Sequence, residues 1–234
     1  MKLALLLCLG GLSLAAQAEP EGPCGTLYSP GQYGPFDYRH EPSDKITLVT
    51  GAHFLPFVEN LERGKTQATP GGDIDYTLRA LPNYPRALVA MTRLVKREKH
   101  DPATGAHFTA ECYYVRALTF RPDDMVVRML FADFLIDAGR TKDAIVHLDF
   151  VGKSLDKEDP FTPYNLGLLY LKVGDTAQAL ALAHQALALG NPADGLENAL
   201  KKAGAWSDPG AAPAREASAA APAASAPAPA ASAP

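Results

Sequence analysis

Residues 160–192, PFTPYNLGLLYLKVGDTAQALALAHQALALGNP, read as two helices broken at Gly174-Asp175. Asn165, Leu166, Gly167 and Tyr170 lie on the first helix, and Ala179, Ala186, Leu187 and Leu189 on the second. Apolar residues at three- and four-residue spacing supply one buried stripe per helix, and the small Gly167 and Ala179 let the two helices cross closely. Upstream the same grammar returns, with Phe131, Ala132 and Leu135 before Gly139 and Ala144, Leu148 and Val151 after it. Earlier still, Leu88, Met91 and Val95 form one apolar face and Ala110, Tyr114, Ala117 and Leu118 another, separated by a polar loop from about Glu98 to Gly105 and closed by Pro122. A more degenerate pair precedes these, with Phe54, Phe57, Val58 and Leu61 before Gly64, then Ile74, Leu78, Ala80 and Leu81 before Pro82. Ala80, Ala117, Val151 and Ala186 follow one another at 37, 34 and 35 positions, a period that marks a repeat array.

Asn165-Leu166-Gly167, Tyr170, Gly174-Asp175, Ala179 and Ala186-Leu187 resemble the signature of the tetratricopeptide repeat family. The resemblance covers Met125–Pro192 best, Pro85–Pro122 next and the preceding residues least; Pro163 and Arg128 stand where the family has an aromatic residue at the start of the first helix. It implies an all-α solenoid of helix-turn-helix pairs, with an irregular N-terminal arm and a C-terminal capping helix. The expected divisions are an arm over 19–50, a degenerate pair over 51–82, three pairs over 83–192, a cap over 193–207 and an Ala/Pro/Ser tail over 208–234. Leu196, Ala199, Leu200 and Trp206 supply the cap, because a solenoid must cover the apolar face of its last repeat. Trp206 as a platform for a stacked ligand is the alternative use.

The amino terminus has the form of an export signal: Lys2, an apolar run from Leu3 to Ala16, and the small-x-small triplet Ala16-Gln17-Ala18, which predicts cleavage after Ala18. The run is shorter than the roughly 20 residues a membrane-spanning helix needs. Cys8 follows Leu5, Leu6 and Leu7 rather than the small residues expected before a lipid-modified cysteine. Cys24 and Cys112 then remain, and in an oxidising compartment they are expected to form one bridge, worth about 4 kcal/mol through chain entropy. Neither the Cys-x-x-Cys of a redox pair nor four clustered zinc ligands are present. The formal net charge of −4 offers no electrostatic footprint for nucleic acid.

Catalytic patterns are missing from the sequence. Ser29, Ser43 and Ser154 lie in no nucleophile elbow, and no glycine loop is shaped for phosphate. His40, His53, His100, His107, His147 and His184 are scattered, with no pair at i, i+4, and read as surface or loop histidines with hydrogen-bond partners. Gly71-Gly72-Asp73 reads as a turn into a helix with Asp73 as its cap, and Asp37 and Asp75 as surface charges. The tetrapeptide Gly51-Ala52-His53-Phe54 recurs as Gly105-Ala106-His107-Phe108, which reads as one way of starting a helix used twice.

The resemblance places a binding surface on the first helices of the pairs, where an extended peptide or a partner helix is received. Arg86, Arg93, Lys96 and Arg97 on the second pair, Asp133 and Asp137 on the third, and Tyr164, Asn165, Leu168 and Lys172 on the fourth project from it. The expected groove is basic at one end and acidic in the middle, so reversing Arg93 and Lys96 should release a partner without affecting folding. The resemblance to exported bacterial repeat proteins implies a non-enzymatic scaffold, with no cofactor or metal, holding a protein of the envelope, secretion or pilus machinery. Two other classes remain open: an enzyme or metal carrier using His53 or His107 in the N-terminal half, and a passive spacer.

Overall fold

Proline and short polar side chains set where the helices begin. In the computed structural model, which describes residues 22–210, the described residues form ten α-helices and no strand. Residues 1–18, read above as an export signal, and nearly all of the Ala/Pro/Ser tail lie outside the described residues. The helices are α1 (Ser43–His53), α2 (Pro56–Glu59), α3 (Pro70–Ala80), α4 (Pro85–Glu98), α5 (Ala110–Phe120), α6 (Met125–Asp137), α7 (Thr141–Lys153), α8 (Phe161–Lys172), α9 (Thr176–Ala188) and α10 (Asp194–Lys202). Pro56, Pro70 and Pro85 stand at helix starts, where φ is preset and the missing N–H has no partner to lose. Thr69, Thr109, Asp124 and Asp175 cap α3, α5, α6 and α9 by accepting a backbone N–H three residues on. Gly139 and Gly174 end α6 and α8 with φ of 75° and 89°, a left-handed conformation that a side chain would resist. At both, the next residue reaches back to the last turn, Arg140 N to Leu135 O at 2.8 Å and Asp175 N to Tyr170 O at 2.9 Å.

The pairs α6/α7 and α8/α9 make the closest helix contacts, α5 packs between α4 and α6, and α7 packs on α8 as well as α6. The helices α4, α6 and α8 also touch in succession, an arrangement compatible with a solenoid in which each pair stacks on the one before. One continuous core runs from Phe54 to Leu200. The periodic residues Ala80, Ala117, Val151 and Ala186 are all buried, each near the carboxyl end of α3, α5, α7 or α9. Gly167 provides the close approach its size allows: a methyl there would lie 2.5 Å from Leu196 of α10, 3.3 Å from the Leu182 side chain and 3.4 Å from the Ala179 carbonyl oxygen. Leu196 and Leu200 of α10 are fully buried against this end of the core, and Trp206 packs partly buried beside them.

The amino-terminal third differs from the sequence expectation in three ways. The arm is irregular only to Pro42, because α1 occupies Ser43–His53 and buries a single residue, Val49. The degenerate pair has no full first helix: residues 51–53 end α1, and α2 is four residues long. Gly51-Ala52-His53-Phe54 therefore closes a helix, while Gly105-Ala106-His107-Phe108 lies in the loop before α5, so the tetrapeptide is not a helix start.

Asp37, Asp73 and Asp75 are corrections of a different kind, since all three are 1% exposed or less. Asp73 does not cap α3, which Thr69 does; it accepts the backbone N–H groups of Lys65, Thr66 and Gln67 and so ties down the loop between α2 and α3. His53 Nδ1 lies 2.8 Å from the same carboxylate, with its ring stacked on Tyr76. Asp75 holds the second copy of the motif, His107 Nδ1 at 2.8 Å, together with Arg79 and the Tyr113 hydroxyl. Asp37 joins the arm to the repeats through Arg39, Asn83 and Arg121, and Asn83 also reaches Asp124 at the start of α6. Buried carboxylates need such partners, because an isolated charge away from water is costly.

Burial by itself would raise the pKa of Asp37, but hydrogen bonds from Arg39, Asn83 and His40 outweigh it and hold the group well below the usual carboxylate range. At Asp73 burial is likewise overcome, by Thr66, Lys65, His53 and Gln67. A carboxylate with a lowered folded pKa contributes stability that is complete above its unfolded value of about 4 and is lost as pH falls through the folded value. Unfolding free energy is therefore expected to change little from neutrality to about pH 5 on account of these two groups, and to fall below about pH 4. Denaturant titrations across that range check it: Asp37→Asn and Asp73→Asn variants should each show a shallower acid decline, and an unchanged slope would count against these groups.

Candidate functional site

The apolar stripe that buries α6 runs through Val127, Phe131 and Leu135. One residue out of phase with it, Val126, Met129 and Leu130 form a second apolar strip facing α8, and Phe161, Leu168 and Leu169 form the opposite wall. Together with Asp133, Asp159, Thr162 and Asn165 they line an open groove of about 590 Å³, within the range of about 300–1,000 Å³ usual for binding pockets. Val126 is 42% exposed and Phe161 66%, so large apolar surface faces water along this groove. Exposed apolar side chains on facing walls of one groove make it a candidate site of association.

The charged residues expected to line the first-helix face are mostly engaged with one another. Lys172 reaches Asp133 at 2.6 Å and Asp137 at 2.5 Å, and Lys96 of α4 pairs with Asp137 from the other side. Arg86 pairs with Glu59, and Arg97 donates to the Leu61 carbonyl oxygen at 2.6 Å. Arg93 is exposed and has no ion pair among the described residues. In place of a basic end and an acidic middle, α4, α6 and α8 carry a ladder of alternating charge that crosses from helix to helix. Lys96 is part of that ladder, so its reversal would set two carboxylates together, at a pair exposed enough that the cost is expected to stay within about 1 kcal/mol.

The remaining expected residues divide. Leu168 and Asn165 line the groove, with the Asn165 amide nitrogen donating to Phe161 O at 3.0 Å. Tyr164 points elsewhere: its hydroxyl lies against Gly195 of α10 and joins the cap to α8. Val126, Met129, Leu130, Asp159, Phe161 and Leu169 were not anticipated as groove residues. A signal for the three on α6 existed in its sequence MVVRMLFADFLID, which is apolar on more than the one face its core contact needs.

The arm leaves the groove open. Cys24 and Cys112 are joined by a disulfide, and Arg116 donates to Cys24 O and Thr26 O, which places the start of the arm on α5. Further along, Gln32 bonds Arg79 O and Phe36 N bonds Ala80 O at the end of α3. These attachments lie on the second helices of the pairs and on the turns between pairs, not on the walls formed by α6 and α8.

Two other places with polar side chains were candidates for chemistry. A cleft of about 320 Å³ between α7 and α9 is lined by Asp149, Lys153, Gln178 and Gln185, but Asp149 is occupied by the Tyr170 hydroxyl at 2.7 Å. The His53–Asp73 and His107–Asp75 pairs sit on two different aspartates of α3, the first tying the end of α1 and the second the loop before α5 to that helix. Among the described residues no group of three His, Cys, Asp or Glu converges as a metal site would require, and no helix is long and apolar enough to cross a membrane. No protein-family model matches the chain, and no curated protein matches it.

Proposed function

We propose that this protein is an exported, non-enzymatic binding module of the tetratricopeptide repeat type, which holds a protein partner along the groove between α6 and α8. The observation that carries the reading is the groove between α6 and α8, where Val126 and Phe161 stand exposed on opposite walls beside the partly buried Leu130 and Leu168, and which no arm residue lines. Export is supported by the Lys2-to-Ala18 segment and by the disulfide, a bond that persists in oxidising compartments. The partner belongs to the envelope, secretion or pilus machinery of the cell, in keeping with the repeat resemblance.

The double variant Val126→Ser/Phe161→Ser tests it. Both side chains are solvent-exposed, so the change in unfolding free energy is expected to stay near about 0.5 kcal/mol. Affinity purification from the native envelope, with mass spectrometry of what accompanies each form, should recover a partner with the wild type and lose it with the variant. Equal recovery with both would move binding away from the groove, and recovery with neither would favour a spacer.

A further inference from the structure

The chemistry of the groove limits what it holds, on the reading that it is a docking surface. Its apolar floor carries a carboxylate on each wall, Asp133 from α6 and Asp159 ahead of α8, and no lysine, arginine or histidine lines it. Asp159 accepts the backbone N–H of Phe161 at 2.8 Å and the side chain of Thr162, and it follows the exposed Asp156, Lys157 and Glu158. Asp133 gives one oxygen to Lys172 at 2.6 Å, and Lys172 is shared with Asp137. The cation on Asp133 is thus already shared between two carboxylates of the chain itself, and Arg128 of α6 and Lys157 ahead of Asp159 do not line the groove. An acidic partner would meet Asp133 and Asp159 with no cation lining the groove, whereas a cationic partner finds the second Asp133 oxygen without a partner among the described residues. Like charges brought together across an interface exclude wrong partners more effectively than rim contacts attract right ones.

We propose that the segment held in the groove is a short amphipathic stretch of a partner protein, with a large apolar side chain on the floor and a lysine or arginine beside it, and that Asp133 reads the positive charge. Occupancy of the floor supplies the affinity and the carboxylates supply the selection. Substitution of Asp133 leaves Lys172 its second partner, Asp137, so the selection is separable from the fold.

The test uses the full chain and fluorescently labelled synthetic peptides in anisotropy titrations. One peptide carries paired leucines flanked by lysines, the second the same leucines flanked by glutamates, and the third the lysines with serine in place of leucine. The lysine–leucine peptide is expected to bind about tenfold more tightly than the glutamate–leucine peptide, with the difference shrinking in high salt. The serine peptide should bind far more weakly. Asp133→Asn, with helicity checked by circular dichroism, should narrow the tenfold ratio severalfold. Equal binding of both leucine peptides, or a ratio unchanged in Asp133→Asn, overturns the charge selection while leaving the groove as a docking surface. Failure of all three peptides to bind overturns the proposal, and only if the Val126→Ser/Phe161→Ser protein also keeps its partner does the groove reading fall with it.

Discussion

Replacing Asp75 by alanine is expected to lower the unfolding free energy by about 3–5 kcal/mol, the cost typical of removing one member of a buried charged network. Asp75 is 1% exposed and accepts from the Tyr113 hydroxyl at 2.5 Å, Arg79 Nε at 3.0 Å and both the ring and backbone nitrogens of His107. Arg79 and His107 can turn to water when the carboxylate is gone. Tyr113 cannot, because it is itself 1% exposed, and its hydroxyl would be left inside the core with its acceptor gone. Burial and the adjoining carboxylate already push this phenol far above its usual pKa, which fits a hydroxyl committed to donating a proton-bearing bond. Tyr113→Phe should therefore cost less, about 1–2 kcal/mol, and should reduce the further loss caused by Asp75→Ala. Chemical denaturation of the two single variants and the double variant measures this. A loss below about 1 kcal/mol for Asp75→Ala would mean that α3 and the loop before α5 are held by packing alone.

The second large effect concerns the bridge between Cys24 and Cys112, which spans 88 positions of the chain. Closing a loop of that length removes enough freedom from the unfolded chain to be worth about 4–5 kcal/mol in the chain-entropy description. The double variant Cys24→Ser/Cys112→Ser should lose most of that. The loss should fall unevenly on the arm. Residues near Cys24 keep only the Arg116 hydrogen bonds and the Gln32 bond to Arg79, whereas Asp37 remains bonded to Arg39 and Asn83 and paired with Arg121. Hydrogen exchange should accordingly rise before about residue 33 and stay protected at Asp37 and beyond. Because no arm residue lines the groove and the Arg39 pairs to Asp123 and Asp124 ahead of α6 remain, peptide binding should survive the change. A stability change below about 1 kcal/mol, or exchange rising equally in α6 and α8, would contradict this account.

The helix pairs from α6 to α9 were legible because their core residues recur at three- and four-residue spacing and helix ends are marked by glycine or a capping residue. Gly139, Gly174, Asp124 and Asp175 all stand at such ends. The burial of Ala80, Ala117, Val151 and Ala186 at matching places on four helices was readable for the same reason. Helix α1 was not, because SDKITLVTGAH buries only Val49 and carries β-branched residues that weaken the helical pattern.

The candidate site was readable only in part. Asn165 and Leu168 could be assigned to the first-helix face by their phase on α8, but phase says nothing of what a long side chain does at its far end. Lys96, Asp137, Lys172 and Asp133 point outward as expected and then meet across three helices, a result set by interhelical distance. Tyr164 was drawn to α10, which follows it by some thirty residues in the sequence and touches it only in the folded chain.

Local pattern alone determined the all-α class, the positions of the main helix pairs and the residues of their common core, since these depend on periodicity and chain-neighbour chemistry. The sequence also carried, in its export-like start and two later cysteines, the grounds for expecting one bridge. Tertiary structure decided the rest. It buried Asp37, Asp73 and Asp75, paired His53 and His107 with two of them, laid the arm along α3 and α5, and opened the groove between α6 and α8. Each of these depends on which surfaces meet at long range, and a carboxylate shows no sign in its own sequence neighbourhood of whether water or a distant N–H will be its partner.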